Sequence, residues 1–261
     1  MISIITPIFN CDKFIESCIQ NVIDQACLDV EHIIVDGGST DRSVEIIKRY
    51  AEKYSHIRWV SQKDKGQSDA MNKGIAMARG SIIGILNADD FYEPEVLKRI
   101  QSLFLNLPEP SLVVGNCKVL KEGDIAVRLN KPRKLNFNYI LVSRSFPENP
   151  SAYFCHKSLH DKIGLYDVDE HYVMDLDFIL RAVPVAQVKY VDETWGNYRF
   201  IDNTKTFNDK KNGQANRRVE ELIKKYRTPL PLYQQGLIGL LTIAYGFRQS
   251  WRRSKSASLK K

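Results

Sequence analysis

The stretch SIIGILNADDFYEP, residues 81–94, decides the fold. Its apolar run, Ile82–Leu86, has no polar alternation, which is typical of a β-strand buried on both faces. The run ends abruptly in Asn87–Asp90, and Pro94 suits the first turn of a following helix. Open α/β sheets bind ligands beyond the carboxyl ends of their strands, so the adjacent carboxylates Asp89 and Asp90 mark a candidate site.

Two interpretations fit these adjacent carboxylates. Neighbouring negative charges repel one another unless a cation relieves them, and hard oxygen ligands suit Mg²⁺ or Mn²⁺. The simpler alternative is a solvated turn in which Asp90 caps the next helix. Both interpretations are equally compatible with this segment by itself, and the segments around it favour the metal site.

The chain before this stretch alternates strand-like apolar runs with amphipathic, helix-like ones. Strands are predicted at residues 1–5, 32–35, 58–61 and 82–86, and helices at about 12–25, 39–54 and 68–78. This alternation predicts an α/β fold in which a mostly parallel sheet is flanked by helices and joined by right-handed crossovers. Polar loops follow the strands at residues 6–10, 36–41, 63–67 and 87–90. Loops at this edge of a sheet are the expected walls of a nucleotide site.

Composition and motifs exclude several classes of function. Six of the 38 basic residues follow Phe247, and the remaining 32 nearly balance the 31 acidic residues, so the net charge of +7 reflects a basic tail. A nearly neutral body argues against nucleic-acid binding. The chain carries neither a G-x-G-x-x-G segment after its first strand nor a G-x-x-x-x-G-K-[ST] loop, which argues against a dinucleotide fold and a P-loop.

The cysteines and the first residues bear on the compartment. Five cysteines without C-x₂-C spacing predict neither a zinc site nor a disulfide framework, as expected in a reducing cytosol. The sequence opens directly in a strand pattern, without the basic and apolar regions of a signal peptide. We therefore expect a cytoplasmic protein, bound peripherally at the cytoplasmic face of the membrane if its tail binds lipid.

Four segments, in order and spacing, resemble the family 2 glycosyltransferases of the GT-A fold. They are SIITPIFN (3–10), HIIVDGGSTDRS (32–43), DKGQSDAMNKGIAMARG (64–80) and IIGILNADDFYEP (82–94). The resemblance extends over about residues 1–200, and four ordered segments are far more specific than any single motif. It implies metal-dependent transfer of a sugar, with inversion, from a nucleotide sugar that is usually UDP-linked. The acceptor would be a hydroxyl of a glycan or a lipid-linked molecule, as in bacterial surface-polysaccharide assembly.

The resemblance also implies which loop residues bind the nucleotide: Pro7, Phe9, Asn10, Asp36, Asp64 and Gly66. In the family the first loop packs on the base, so Pro7 and Phe9 are candidates for the uracil contact. Asp36 would hold the base or ribose, since a carboxylate accepts hydrogen bonds from N–H and O–H groups. The family often has a second acidic residue where Gly37 stands, so Asp36 is expected to act without it.

The metal site falls on Asn87-Ala88-Asp89, which occupies the family's DXD position. The resemblance makes Asp89 the ligand of a divalent ion, Mn²⁺ or Mg²⁺. Asn87 replaces the first carboxylate of the motif with a neutral oxygen ligand. We expect that replacement to weaken the metal site or to route the contact through water.

The stretch GLYDVDEHYVMDLDFILRAV, residues 164–183, resembles the family segment that supplies the catalytic base. It makes Asp175 the predicted general base, although Met174 stands where the family commonly has an acidic residue. Alternatively, Asp175 caps the helix that it opens. Asp177 and Arg181 are assigned structural roles, as an ion pair on that same helix.

Two later features concern phosphate and membrane. The segments at residues 195–199 and 203–206 resemble the family's late basic element, so Arg199 or Lys205 would meet the diphosphate; ordinary surface loops are the alternative. Residues 232–247 are mostly apolar and precede the basic tail, which suits a helix in the membrane interface. Packing of residues 232–261 on the catalytic domain, or on a second copy as a homodimer, is the alternative.

The predicted organisation is a GT-A domain at residues 1–207, with a nucleotide-binding half (1–105) and an acceptor half (106–207). Residues 208–261 form C-terminal helices and the tail. Two other functions share the expected features: a sugar nucleotidyltransferase, which releases pyrophosphate instead of a nucleoside diphosphate, and a protein that binds nucleotide sugars without turnover.

Overall fold

The first part of the chain alternates strands and helices, as the sequence predicts. The computed structural model describes residues 1–200 and 212–258. The elements up to the decisive stretch are β1 (Ile2–Ile8), α1 (Ile15–Asp24), β2 (Val30–Asp36), α2 (Ser43–Lys53), β3 (Ile57–Ser61), α3 (Gln67–Met77) and β4 (Ile82–Ile85). β1 pairs in parallel with both β2 and β4, and β2 pairs in parallel with β3.

The remaining elements extend the same sheet with both strand directions. They are β5 (Phe91–Tyr92), α4 (Val96–Phe104), β6 (Ser111–Lys121), β7 (Ile125–Asn130), α5 (Phe137–Ser143), β8 (Tyr153–His156), α6 (Ser158–Ile163), α7 (Met174–Ala182), β9 (Gln187–Arg199), α8 (Gln214–Arg227) and α9 (Leu232–Ser258). The strand order is β3-β2-β1-β4-β8-β6-β9-β5, and β7 pairs with β6 beside this order. β8 runs antiparallel to both β4 and β6, so the mixed α/β sheet is parallel mainly in its first half.

Both faces of the sheet are covered because alternate residues of a strand point in opposite directions. In β1, Ile5 packs in a cluster with α3 and α7, whereas Ile4 packs in another cluster with α1 and α4. Both side chains are fully buried. The cluster around Ile5 also takes in β6, β8 and, from the C-terminal helices, Leu222 and Ile238, so its core is shared along the whole described chain.

Two helix starts differ from the sequence prediction. α1 begins at Ile15 and not near Asp12, whose backbone N–H instead donates to the Asp41 carboxylate at 3.0 Å. α4 begins at Val96, after Glu95 in the left-handed region with a φ of 61°. Pro94 therefore lies outside the helix. A cap on α4 by Asp90 is wrong, because that carboxylate is buried and bonded elsewhere.

The last helix, α9, has one packed face and one exposed apolar face. Ile238 is buried, and Tyr245 packs edge-on against Tyr139 of α5. On the other face large apolar side chains are exposed, including Leu240 and Phe247. Within the described residues, no helix is both long enough and apolar enough to cross a membrane.

Candidate active site

The carboxyl ends of the parallel strands lie level with one another. The pairing register sets Ile8 of β1 opposite Asp36 of β2, and Asp36 opposite Ser61 of β3. The backbone N–H of Leu86 donates to Ile5 of β1, which extends β4 to the same edge. The loops that carry the predicted nucleotide residues therefore share one rim of the sheet.

Asp36 shapes the second of these loops. The side chain is fully buried, and its carboxylate accepts hydrogen bonds from the backbone N–H groups of Gly38 and Ser39 and from the hydroxyls of Ser39 and Ser61. These bonds hold the turn after β2 against the end of β3. A direct contact with base or ribose stays a prediction, and it would require one of the two hydroxyls to yield its place.

The first loop is fastened to the second through Asn10. Its side-chain oxygen accepts from the Thr40 N–H at 2.8 Å, and its backbone N–H donates to the Ser39 hydroxyl at 2.8 Å. Pro7 is buried within β1, whereas the Phe9 side chain is 60% exposed. An exposed ring on a fastened loop is a suitable surface for stacking a base.

Gly37 and Asp64 fit together in a way that explains the glycine. A Cβ placed on Gly37 would lie 2.4 Å from Oδ2 of Asp64, so the carboxylate occupies the space of a side chain at position 37. The other oxygen, Oδ1, accepts from the Gly66 N–H at 2.9 Å. Gly66 has a φ of 118°, which favours glycine. The Asp64 carboxylate thus lies against Gly37, in the space that a side chain at that position would need.

We expect Gly37→Ala to weaken nucleotide binding by about tenfold, because the new methyl group must displace the Asp64 carboxylate. Calorimetric titration with UDP and Mn²⁺ measures the change. Gly246→Ala is the matched control, since a Cβ at that position of α9 meets no atom of the described residues within 4 Å. Equal UDP affinity in Gly37→Ala and wild type would show that Asp64 plays no part in binding.

The predicted metal ligands Asn87 and Asp89 have different surroundings. The Asn87 amide oxygen accepts from Gln67 at 2.8 Å, and its NH₂ group donates to Asp90 at 3.0 Å. Asp90 is buried and also accepts from Asn149 at 2.7 Å and from the backbone N–H of Arg199 at 3.1 Å. These bonds lock the loop after β4, and they leave Asp89 as the carboxylate beside the network.

Burial dominates the electrostatics of this carboxylate pair. It raises the pKa of Asp90 well above its usual range, with a further rise from the charge of Asp89. Burial also raises the pKa of Asp89, and the Arg199 cation lowers it in part. A cation bound beside these two desolvated carboxylates would stabilise their charged forms and so lower their raised pKa values.

These residues suit a metal ion that arrives with the substrate. Among the described residues, no group of three or more His, Cys, Asp or Glu side chains forms a metal cluster. Mg²⁺ is commonly held by one or two carboxylates together with substrate phosphates. Asp89 fits that arrangement, while the Asn87 oxygen already accepts one hydrogen bond and is a weaker candidate.

Asp175, in the first turn of α7, approaches the same rim. β8 pairs with β4 so that Phe154 lies opposite Gly84, which puts Tyr153 next to the carboxyl end of β4. The Tyr153 hydroxyl donates to the Asp175 carboxylate at 2.7 Å. Burial raises the pKa of Asp175 to about 6, and the Tyr153 hydrogen bond lowers it in part. The residue does not cap α7, whose first cap position is Val173 without a side-chain bond.

The neighbours of Asp175 on α7 have structural roles, as predicted. Asp177 is buried and pairs with Arg181 at 2.8 Å. Its second oxygen accepts from the Tyr226 hydroxyl of α8 at 2.8 Å. The Asp177–Tyr226 hydrogen bond joins α8 to α7. Lys205, the alternative partner of the diphosphate, lies outside the described residues.

Sequence reasoning did not single out four residues that hold the site: Gln67, Asp124, Asn149 and Tyr153. Asn149 is buried, and in the sequence it stands between two prolines in FPENPSAYF. A single amide residue in a proline-containing loop before a strand is the sequence signal that could have identified it. Asp124 lies in the turn between β6 and β7. Its contact with Arg199 depends on how that hairpin folds over the sheet, which no local pattern records.

Comparison with known proteins agrees with this architecture. The model for glycosyl transferase family 2 matches residues 3–162. The uncharacterized glycosyltransferase EpsJ of Bacillus subtilis is 30% identical over 254 residues, covering 92% of this chain and 72% of EpsJ.

Solved structures share the fold at low sequence identity. TarS 1–349 of S. aureus, in complex with UDP-GlcNAc, superposes with a TM-score of 0.70 at 16% identity, covering 95% of this chain and 72% of that one. The mannosyltransferase PcManGT of Pyrobaculum calidifontis, in complex with GDP-Man and Mn²⁺, gives a TM-score of 0.55 at 20% identity, covering 74% of this chain and 55% of that one.

Proposed function

We propose that this chain, which belongs to glycosyl transferase family 2, transfers a sugar from a UDP-sugar to a hydroxyl group with inversion. The protein is a glycosyltransferase. The UDP-linked donor, the divalent metal and the glycan or lipid-linked acceptor are our proposals. UDP-GlcNAc in the TarS complex and GDP-Man with Mn²⁺ in the PcManGT complex support a nucleotide-sugar donor and a metal.

The observation that carries the mechanism is the environment of Asp175. A general base works best when its pKa lies near the operating pH, and the pKa of Asp175 is raised to about 6. Burial, followed by the negative charge of Asp175, also raises the pKa of Tyr153 well above its usual range. Tyr153 therefore stays protonated, donates its hydrogen bond and orients the carboxylate.

The proposed roles follow from these positions. Asp175 accepts the proton of the acceptor hydroxyl as that oxygen attacks the anomeric carbon, and a single displacement inverts this centre. Phe9 stacks on the base, and Asp36 and Asp64 shape the nucleoside pocket. Asp89 would hold the metal, which when bound offsets the charge on the departing diphosphate.

A donor screen tests the proposed function. Ligands that bind the folded state raise the melting temperature, so UDP- and GDP-sugars with Mn²⁺ are compared by thermal shift. The donor found is then incubated with a crude lipid extract as acceptor. Release of nucleoside diphosphate with loss of donor supports the proposal. Pyrophosphate release from a triphosphate indicates a nucleotidyltransferase, and binding without turnover indicates a binding protein.

We also propose that α9 lies against a membrane surface. Leu240 and Phe247 are 69% and 73% exposed on one face, while Ile238 anchors the opposite face to the protein. No acidic residue follows Glu221, and the basic residues after Phe247 would favour anionic lipid. A membrane-bound surface of this kind would suit an enzyme whose acceptor is lipid-linked.

Replacing both Leu240 and Phe247 by serine is expected to lower binding to anionic vesicles by about tenfold or more, because each buries apolar area in the interface. Cosedimentation with vesicles rich in phosphatidylglycerol measures binding, which should also fall at high salt. The same change at Leu28 and Leu105, which are exposed elsewhere, serves as control. If the variant binds vesicles as wild type does, and is a monomer where wild type is a dimer, α9 contacts a second copy instead.

A further inference from the structure

Arg199 is the basic residue beside the carboxylate pair, and it is held from several directions. Its guanidinium donates from Nη1 to the backbone oxygen of Asp89 at 3.1 Å. It also donates from Nε and Nη2 to the two oxygens of Asp124, at 2.6 and 2.9 Å. The same group stacks on the ring of Phe91, 4.5 Å from its centroid.

Asp124 reaches Arg199 because of the turn between β6 and β7. In the parallel pairing of β6 with β9, Leu120 lies opposite Arg199. The chain then turns at Gly123 and Asp124, with φ angles of 75° and 57°. This turn brings Asp124 back over the end of β9. The left-handed conformation of a non-glycine residue here is uncommon, and it directs the carboxylate to the guanidinium.

The contacts leave part of the guanidinium available. A guanidinium has five N–H donors in a rigid plane. Two of them bind Asp124 and one binds the Asp89 backbone. Among the contacts of the described residues, two donors therefore remain, one each on Nη1 and Nη2. Because the plane is fixed by a two-point carboxylate contact and by the Phe91 ring, the direction of these donors is fixed as well.

We propose that Asp124 is a positioning residue that holds the remaining donors of Arg199 toward the diphosphate of the nucleotide at Asp89. The inference rests on the proposed function, since it requires a nucleoside diphosphate in that place. Donors oriented in advance stabilise developing negative charge without reorganising at the moment of reaction. A long arginine side chain at the rim would otherwise sample many conformations.

Asp124→Asn tests the proposal because it keeps the shape of the side chain while removing its charge and one acceptor oxygen. The affinities of UDP and GDP, each with Mn²⁺, are compared by calorimetry with those of uridine and guanosine. We expect the affinity of the diphosphate that wild type binds to fall by about tenfold and that of its nucleoside to stay within twofold. A purely structural defect would lower both.

The control is Glu220→Gln. Arg144 donates from Nε and Nη2 to Glu220 at 3.0 and 2.8 Å, the same two-point geometry, but it joins α5 to α8. This variant should bind diphosphate as wild type does. Arg199→Ala and the double variant with Asp124→Asn should have equal diphosphate affinity, because Asp124 acts only through Arg199.

The outcomes separate this inference from the function on which it rests. If wild type binds neither UDP nor GDP, the proposed function fails, and the inference fails with it. If wild type binds a diphosphate and Asp124→Asn binds it equally well, only the role of Asp124 is overturned. An additive loss in the double variant would likewise show that Asp124 does not act through Arg199.

Discussion

Asp175→Asn is expected to lower kcat by about 10²-fold or more while leaving donor affinity nearly unchanged. The amide can still accept the hydrogen bond of Tyr153, so the local geometry is kept and only basicity is lost. Because the acceptor hydroxyl is a poor nucleophile when neutral, removal of the base affects the chemical step and not the binding of the nucleotide. Single-turnover kinetics with bound donor measure that step directly.

The pH dependence gives a second measure of the same residue. The base must be ionised, and its pKa is raised to about 6, so wild-type kcat should fall as the pH drops through about 6. The residual activity of Asp175→Asn should lack this decline. The raised pKa has the opposite effect on the stability of the fold. As the pH rises through about 6, the buried carboxylate becomes charged, and the free energy of unfolding falls. The variant should therefore melt no lower than wild type at neutral pH.

Asp177→Asn is the comparison on the same helix. Asp177 pairs with Arg181 and Tyr226, so Asp177→Asn should lower the melting temperature. The turnover of the protein that remains folded should change little. Normal turnover in Asp175→Asn together with an inactive, folded Asp177→Asn would assign the base to the neighbour. Activity in both variants would mean that the acceptor half has been misinterpreted.

Asp89→Asn is expected to abolish the effect of Mn²⁺ on donor binding and to lower turnover by about 10²-fold or more. The amide keeps the size of the side chain but loses the charge that the metal requires. The fold should persist, because the buried carboxylate that accepts the hydrogen bonds described for this loop is that of Asp90. Calorimetry of UDP binding, with and without Mn²⁺, measures the change.

Metal removal from wild type is the internal comparison. Wild type in EDTA should bind UDP as weakly as Asp89→Asn does in Mn²⁺, because the contribution of the metal to diphosphate binding is missing in both. Turnover that depends on Mn²⁺ in Asp89→Asn as it does in wild type would remove Asp89 from the metal site. Asn87→Ala, which takes away only a neutral oxygen, should have a smaller effect.

The first half of the fold could be predicted because its information is local. Apolar runs such as Ile82–Leu86 and the amphipathic pattern of α1 each fall within one short segment, and their alternation predicts parallel pairing. The antiparallel insertion of β8 beside β4 was not predictable in this way. Strand direction there depends on how the chain returns from β7 and α5, and no periodicity encodes that path.

The candidate site divides along the same line. Asp89 and Asp175 stand in recognisable segments, so their types and surroundings indicated their chemistry. The bonds that hold them come from distant positions: Asn149 reaches Asp90, Tyr153 reaches Asp175, and Asp124 reaches Arg199. Each pair forms only when separate parts of the chain fold together. The roles assigned to Asp89 and Asp175 from the sequence stay predictions, and the residues that support them could not be predicted from it.

The position of β4 in the sheet has a consequence for the way this chain is made. β4 ends at Ile85, but its second neighbour, β8, begins only at Tyr153. During synthesis the four parallel strands β1 to β4 can assemble first. The outer edge of β4 then stays unpaired until nearly 70 further residues have been added. An apolar open edge is a template for other chains. Pairings this distant in sequence also form slowly. Nascent chains and fragments that stop short of Tyr153 should therefore aggregate, whereas chains that include β8 close the edge.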